Sequence, residues 1–113
     1  MSKYGNKQTY ADGIIFDSKR EANRYLELKL MEKAHLIKEL RLQPKYQLIP
    51  EIKGPKGGLI QRPIYYVADF EYFEKKGNDW LRVVEDVKGM RTEVYKLKKK
   101  LFRWKYGIEI KEV

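Results

Sequence analysis

The chain has 113 residues, of which 42% are hydrophobic, 13% aromatic and 36% charged. That suits one compact domain with a modest core and, at a mean hydropathy of −0.71, excludes a membrane protein. It has no cysteine, which removes disulfides and thiolate metal sites, and "MSKYGNKQTY" at the start lacks the apolar core of a signal segment, so a cytoplasmic protein is expected.

With 25 Lys+Arg against 16 Asp+Glu the net charge is +9, and polyanions, nucleic acid first among them, are the natural partners. The cations are clustered in "SKREANRYLELK", "IKGPKGGLIQR" and above all "RTEVYKLKKKLFRWK". Such blocks differ from the even mixing with acids that serves solubility alone.

Residues 1–12 are polar and are expected to form a partly disordered arm on a single domain spanning 1–113. "SKREANRYLELKLMEKAHL" follows, an amphipathic helix with Ala22, Tyr25, Leu26, Leu30 and Met31 near one face. Ser18 stands in cap position and Glu21, three residues on, completes a possible capping box. Pro44 biases Gln43 toward extended backbone and ends any helix before it.

"KYQLIPEI" reads as a first strand, "KGPKGG" as the loop of a hairpin or longer connection, and "PIYYVADFEYF" as a second strand rich in aromatic and β-branched residues. The glycine-rich loop lacks the Gly-Lys-Ser/Thr ending that a phosphate-binding loop requires. "KKGND" supplies a turn, "WLRVVEDVK" a third strand, and Gly89 a change of direction. Thr92 then caps a second helix, "EVYKLKKKLFRWKY", with Val94, Leu97, Leu101 and Trp104 near one side; Gly107 ends it, and "IEIKEV" makes a last short strand. The expected order is helix, three strands, helix, strand: an α/β fold of the α+β kind on a mixed sheet.

Two acids fall inside these strands. Asp69 sits between Ala68 and Phe70, and Asp86 follows seventeen positions later with Lys88 two residues beyond. Residues two apart on a strand share a face, roughly 6 to 7 Å apart. Buried like charges are costly unless paired, protonated or neutralised, which points to a hard cation such as Mg²⁺. Other readings stand beside this one: Glu21 as a capping residue, and Asp86 with Lys88 as a solvated ion pair on an edge strand. Asp12 and Asp17 suit turn and cap geometry, and Glu71 a surface position. His35 is the only histidine, so histidine-rich nuclease sites are excluded.

Asp69 followed by Asp86-Val87-Lys88 resembles the signature of the PD-(D/E)XK nuclease superfamily. The segments "DGIIFDSKREA", "LQPKY", "YVADF", "VEDVKG" and "YKLKKKLF" together resemble a small phage-associated family within it. The resemblance extends over residues 10–113 and reaches to Holliday-junction resolvases and to the endonuclease subunit of heteromeric transposases. Ala68 stands where the superfamily's name has proline. The resemblance implies a restriction-endonuclease-like core in the order α-β-β-β-α-β, and Mg²⁺, with Mn²⁺ as substitute, held by Asp69, Asp86, the Val87 main-chain carbonyl and Glu21. Lys88 would stand beside the attacking water, so that Glu21, Asp69, Asp86 and Lys88 form the catalytic set.

It further implies a DNA endonuclease acting on branched or structured DNA in phage recombination or replication, as a homodimer or within a larger complex. Gln43, Tyr95, Lys96, Lys99, Lys100 and Arg103 would contact the nucleic acid, the helical ones along a phosphate backbone. The alternative is a non-catalytic nucleic-acid-binding module that retains a degenerate nuclease fold.

Overall fold

The computed structural model describes residues 8–87 and 91–113. Lys88 and Gly89, both singled out above, lie outside the described residues, as does most of the N-terminal arm. The fold is α+β, and the chain divides into two compact units, residues 1–41 with 71–83 and residues 42–70 with 84–113.

The first unit opens with β1 (Thr9–Ala11) and β2 (Ile14–Phe16), an antiparallel hairpin pairing Thr9 with Phe16 and Ala11 with Ile14. Asp12 and Gly13 turn it at φ 50° and 77°. Asp-Gly with both residues at positive φ is the tight turn whose twist matches two antiparallel strands. Thr9–Ala11, expected within the polar arm, is a strand because it pairs with the apolar Ile14–Phe16.

Helix α1 (Lys19–Lys33) begins on extended Ser18, whose Oγ accepts the Glu21 amide hydrogen at 3.1 Å. Ala22, Tyr25 and Leu28 are its buried apolar residues, with Phe16 and Tyr25 rings 5.0 Å apart. The expected face is therefore corrected by one position. Leu28 is buried, while Leu26 and Leu30 are exposed, because Tyr25 and Leu28 follow Ala22 at successive three-residue steps with Glu21 beside them, and this stripe leaves 26 and 30 off the buried face.

Strand β3 (Ile37–Leu42) pairs with β8 (Phe70–Lys76), and β8 with β9 (Asp79–Asp86). Gly77, at φ 61°, lies in the turn between β8 and β9.

In the second unit β4 (Lys45–Ile49) pairs antiparallel with β7 (Ile64–Val67). Between them lies the short hairpin of β5 (Ile52–Lys53) and β6 (Leu59–Gln61), joined by the expected glycine-rich loop. Helix α2 (Glu93–Tyr106) runs from an extended Thr92 cap to Gly107 at φ 69°, and β10 (Lys111–Glu112) lies parallel to the end of β9.

Among the described residues seven strands thus lie between the helices, where three were expected. "PIYYVADFEYF" is not one strand, since it breaks at Ala68–Asp69, where the backbone changes partners. The Ala68 amide donates to the Pro44 carbonyl at 3.1 Å and the Asp69 amide to the Glu85 carbonyl at 3.2 Å. Asp69 therefore occupies a corner and not the middle of a strand.

Tyr46, Leu48, Tyr66, Ala68, Val84, Tyr95, Phe102 and Ile110 form the core of this unit. Phe102 meets Tyr46 edge-on at 4.9 Å and Tyr106 at 5.0 Å. Of the side of α2 named from sequence only Leu101 packs against the core, half-buried: Trp104 is 80% exposed, and Val94 and Leu97 are exposed as well. Tyr95, Phe102 and Tyr106 carry more apolar area and complementary ring edges, so burying them outweighs burying the aliphatic stripe.

Candidate carboxylate site

The corner at Asp69 builds the site. Its amide donates to the Glu85 carbonyl, and its Oδ2 accepts the Val87 amide hydrogen at 2.7 Å. One residue thereby grips β9 on both sides of Asp86, so two aspartates distant in sequence are brought side by side. Gln43 joins the same corner, its amide donating to the Asp69 carbonyl at 2.9 Å from a left-handed backbone at φ 49°.

Asp86 is 2% exposed. Its Oδ2 accepts a short hydrogen bond from the Tyr66 hydroxyl, and its carbonyl accepts from the Val113 amide at 3.1 Å. Burial, above all, then the bond to Asp86 and the charges of Asp86 and Asp69 push the Tyr66 phenol far above its ordinary range. The raised phenol favours the protonated form that donates to Asp86. That the Tyr66 hydroxyl is committed to Asp86 is something pattern alone does not show.

The donor chemistry fits a hard divalent cation. Two carboxylates with a backbone carbonyl at Val87 are oxygen ligands, and Mg²⁺ is commonly held by one or two carboxylates while keeping several waters. Among the described residues there is no group of three or more His, Cys, Asp or Glu placed to hold a metal ion, so the protein's own share of such a site is the aspartate pair. Glu21 belongs to the first unit, where it is buried and its amide is capped by Ser18. The Ser18 part of the capping box is thus present in the geometry.

Glu71 is corrected from surface to interior: it is 3% exposed and bridged by Arg41 and Arg82. Tyr95 is corrected too. It is a core residue whose hydroxyl donates to Glu112 Oε2 at 2.7 Å, not a solvent-facing phosphate contact. Burial first, then that bond, raises its phenol well above the usual value.

Glu112 is the hub of a groove of about 530 Å³ lined by Arg91, Lys96, Lys99, Lys100 and Arg103 with Glu93, Glu109 and Glu112. Its Oε1 accepts from Arg91 Nε at 3.0 Å and Nη2 at 2.7 Å, and its Oε2 lies 3.3 Å from Lys99 Nζ. Arg91 first, then Tyr95, hold its carboxyl down at about 2. Lys96 pairs with Glu93 at 3.2 Å, while Lys100 and Arg103 are exposed.

A family model described as "Protein of unknown function (DUF1064)" matches residues 1–112. The chain belongs to the DUF1064 family. No curated protein and no solved structure matches it significantly. Among its described residues, no helix of this DUF1064 chain is long and apolar enough to cross a membrane.

Proposed function

We propose that the chain is a metal-dependent endonuclease of the PD-(D/E)XK kind, hydrolysing DNA phosphodiester bonds in branched or otherwise structured DNA in the cytoplasm. The observation that carries this reading is Asp69 Oδ2 on the Val87 amide at 2.7 Å, which sets its carboxylate beside Asp86. A pair of acids at one corner, Asp86 buried and Asp69 half-buried, in a chain of net charge +9 is the setting that a bound cation would stabilise.

In this reading Mg²⁺, or Mn²⁺ in its place, supplies a water of lowered pKa and offsets charge on the scissile phosphate. The residues of the chain do the positioning. The Val87 amide fixes Asp69, the Tyr66 hydroxyl fixes Asp86, and both interactions are in place before any substrate arrives. Lys88 follows directly in sequence and is assigned the role of orienting the nucleophile; Glu21 enters this reading only through the sequence resemblance. Lys96, Lys100 and Arg103 provide the phosphate contacts along α2. A restriction-endonuclease-like core accords with adjacent strands β8 and β9, Asp69 just before the first and Asp86 at the end of the second, and with α2 leading to the parallel β10. Symmetric cutting of a junction would require a homodimer, since it takes two sites.

The test is incubation of purified protein with labelled four-way junction, duplex and single-stranded DNA in Mg²⁺ or Mn²⁺, with EDTA and Asp86→Asn as controls. Metal-dependent cutting that Asp86→Asn abolishes supports the reading. Binding without cutting in either metal overturns it in favour of a non-catalytic module.

A further inference from the structure

In the first unit, β8 lies between β3 and β9, and its alternation puts Glu71 and Phe73 on one face. Across that face Arg41 Nη1 on β3 donates to Glu71 Oε2 at 3.3 Å. From β9, Arg82 Nε and Nη2 donate to Glu71 Oε1 at 3.1 and 2.8 Å. A second row joins the same two outer strands, with Lys38 Nζ 4.4 Å from the centroid of the Trp80 ring.

Glu71 is 3% exposed, yet the side chains it anchors are not covered: Arg41 is 62% and Arg82 38% exposed, and Trp80 is 36% exposed. A single carboxylate would be satisfied by one bidentate guanidinium. Here it holds two, each fixed by a hydrogen bond while its outer surface faces solvent. Guanidiniums oriented in advance lose little conformational freedom when they meet an anion. A sheet face with cations oriented by Glu71 and an indole beside them matches a strand whose bases are free to stack, better than it matches a helical groove.

We propose that this face of β3, β8 and β9 binds single-stranded nucleic acid, Lys38, Arg41 and Arg82 taking phosphates and Trp80 with Phe73 giving apolar support to bases or sugars. The assignment rests on the preceding reading only in taking nucleic acid as the partner. It involves none of the residues assigned to catalysis.

Trp80 is one of two tryptophans, so Trp104→Phe makes it the sole indole reporter. That variant is titrated in EDTA with an oligothymidylate of about twelve nucleotides, within the usual site size, following Trp80 fluorescence and the anisotropy of the labelled strand. Saturable quenching is expected. Adding Lys38→Gln and Arg41→Gln, which leaves Arg82 on Glu71, should weaken binding about tenfold and flatten the salt slope by about 1.4, two phosphates' worth on a single strand. Circular dichroism checks the fold.

If the strand binds without quenching and the double substitution has no effect, the site is elsewhere and the inference fails while the nuclease reading stands. Binding of duplex alone overturns it as well. Concentration-dependent dimerisation lost in the double variant, with oligonucleotide affinity unchanged, would make this face a subunit interface instead. Absence of binding to any DNA overturns both readings.

Discussion

Asp69 accepts the amide hydrogen of Val87 at 2.7 Å, so the carboxylate that closes the corner after β7 is tied to the residue following Asp86. The bond has a structural share and a chemical share, and substitution separates them. Asn at position 69 can still accept from Val87 through Oδ1 while losing its charge. Asp69→Asn is therefore expected to unfold within about 1 kcal/mol of wild type in urea, yet to lose at least about 100-fold in Mg²⁺-dependent cleavage. Unchanged cleavage would remove Asp69 from the site, whereas loss of fold would make it structural only.

Tyr66 and Tyr95 each donate to a carboxylate from a core position. Tyr66→Phe keeps the ring and its packing but leaves buried Asp86 one donor short, which should cost about 1–3 kcal/mol in denaturant unfolding. Both phenols are raised above their ordinary value of 10.0. Their unfolded forms ionise near pH 10 while the folded forms do not, so the unfolded state binds fewer protons above that pH and stability falls as pH rises. Of nine tyrosines, these two should remain un-ionised in an absorbance titration at 295 nm until the chain unfolds. Their titration while the far-ultraviolet spectrum is native would contradict this.

Glu112 makes the opposite pH prediction. Its folded value is about 2 against an ordinary 4.5, so the unfolded state takes up a proton first as pH falls. The stabilisation is complete above about pH 5 and is lost between there and pH 2. Since Arg91 is more than half exposed, screening reduces the effect to about 1–2 kcal/mol at pH 7. Glu112→Gln should show that deficit at neutral pH and none at pH 2. It also leaves Arg91 and Lys99 without their counter-charge, so the α2 groove should bind duplex DNA several-fold more tightly at low salt. An equal deficit at both pH values would show that packing, not charge, is what Glu112 contributes.

The parts of this fold legible in the sequence are those with local causes. Ser18 and Thr92 cap helices where a hydroxyl precedes an amphipathic run, and Gly107 ends α2 because only it takes φ 69° without strain. The β1–β2 hairpin was legible too, since Asp12-Gly13 between short apolar runs is a strong turn signal; the surrounding polar residues hid it. What escaped reading depends on partners distant in the chain. Nothing in "YYVADF" shows that the backbone leaves Pro44 at Ala68 and takes up Glu85 at Asp69. Nothing local marks Glu71 as buried either, because its cost is met by Arg41 and Arg82 from other strands. Asp69 and Asp86 were found by their setting among apolar residues; their hold on Val87 and Tyr66 could come only from the fold.

Helix α2 gives the sharpest check on this difference between period and packing. Its aliphatic residues Val94, Leu97 and Leu101 follow helical spacing with Trp104, and yet Phe102 is fully buried while Trp104 is 80% exposed. If aromatic packing in the second unit sets the orientation of the helix, Phe102→Ala should cost about 3–5 kcal/mol, since it removes a ring that touches Tyr46, Tyr66 and Tyr106. Trp104→Ser should lie within about 0.5 kcal/mol of wild type. The pair is measured by urea unfolding followed by far-ultraviolet circular dichroism, so that loss of an indole does not disturb the signal. The reverse ranking would place Trp104 in a core and require the helix to be turned by roughly half a revolution about its axis, carrying Lys96, Lys100 and Arg103 away from the groove and the phosphate contacts with them.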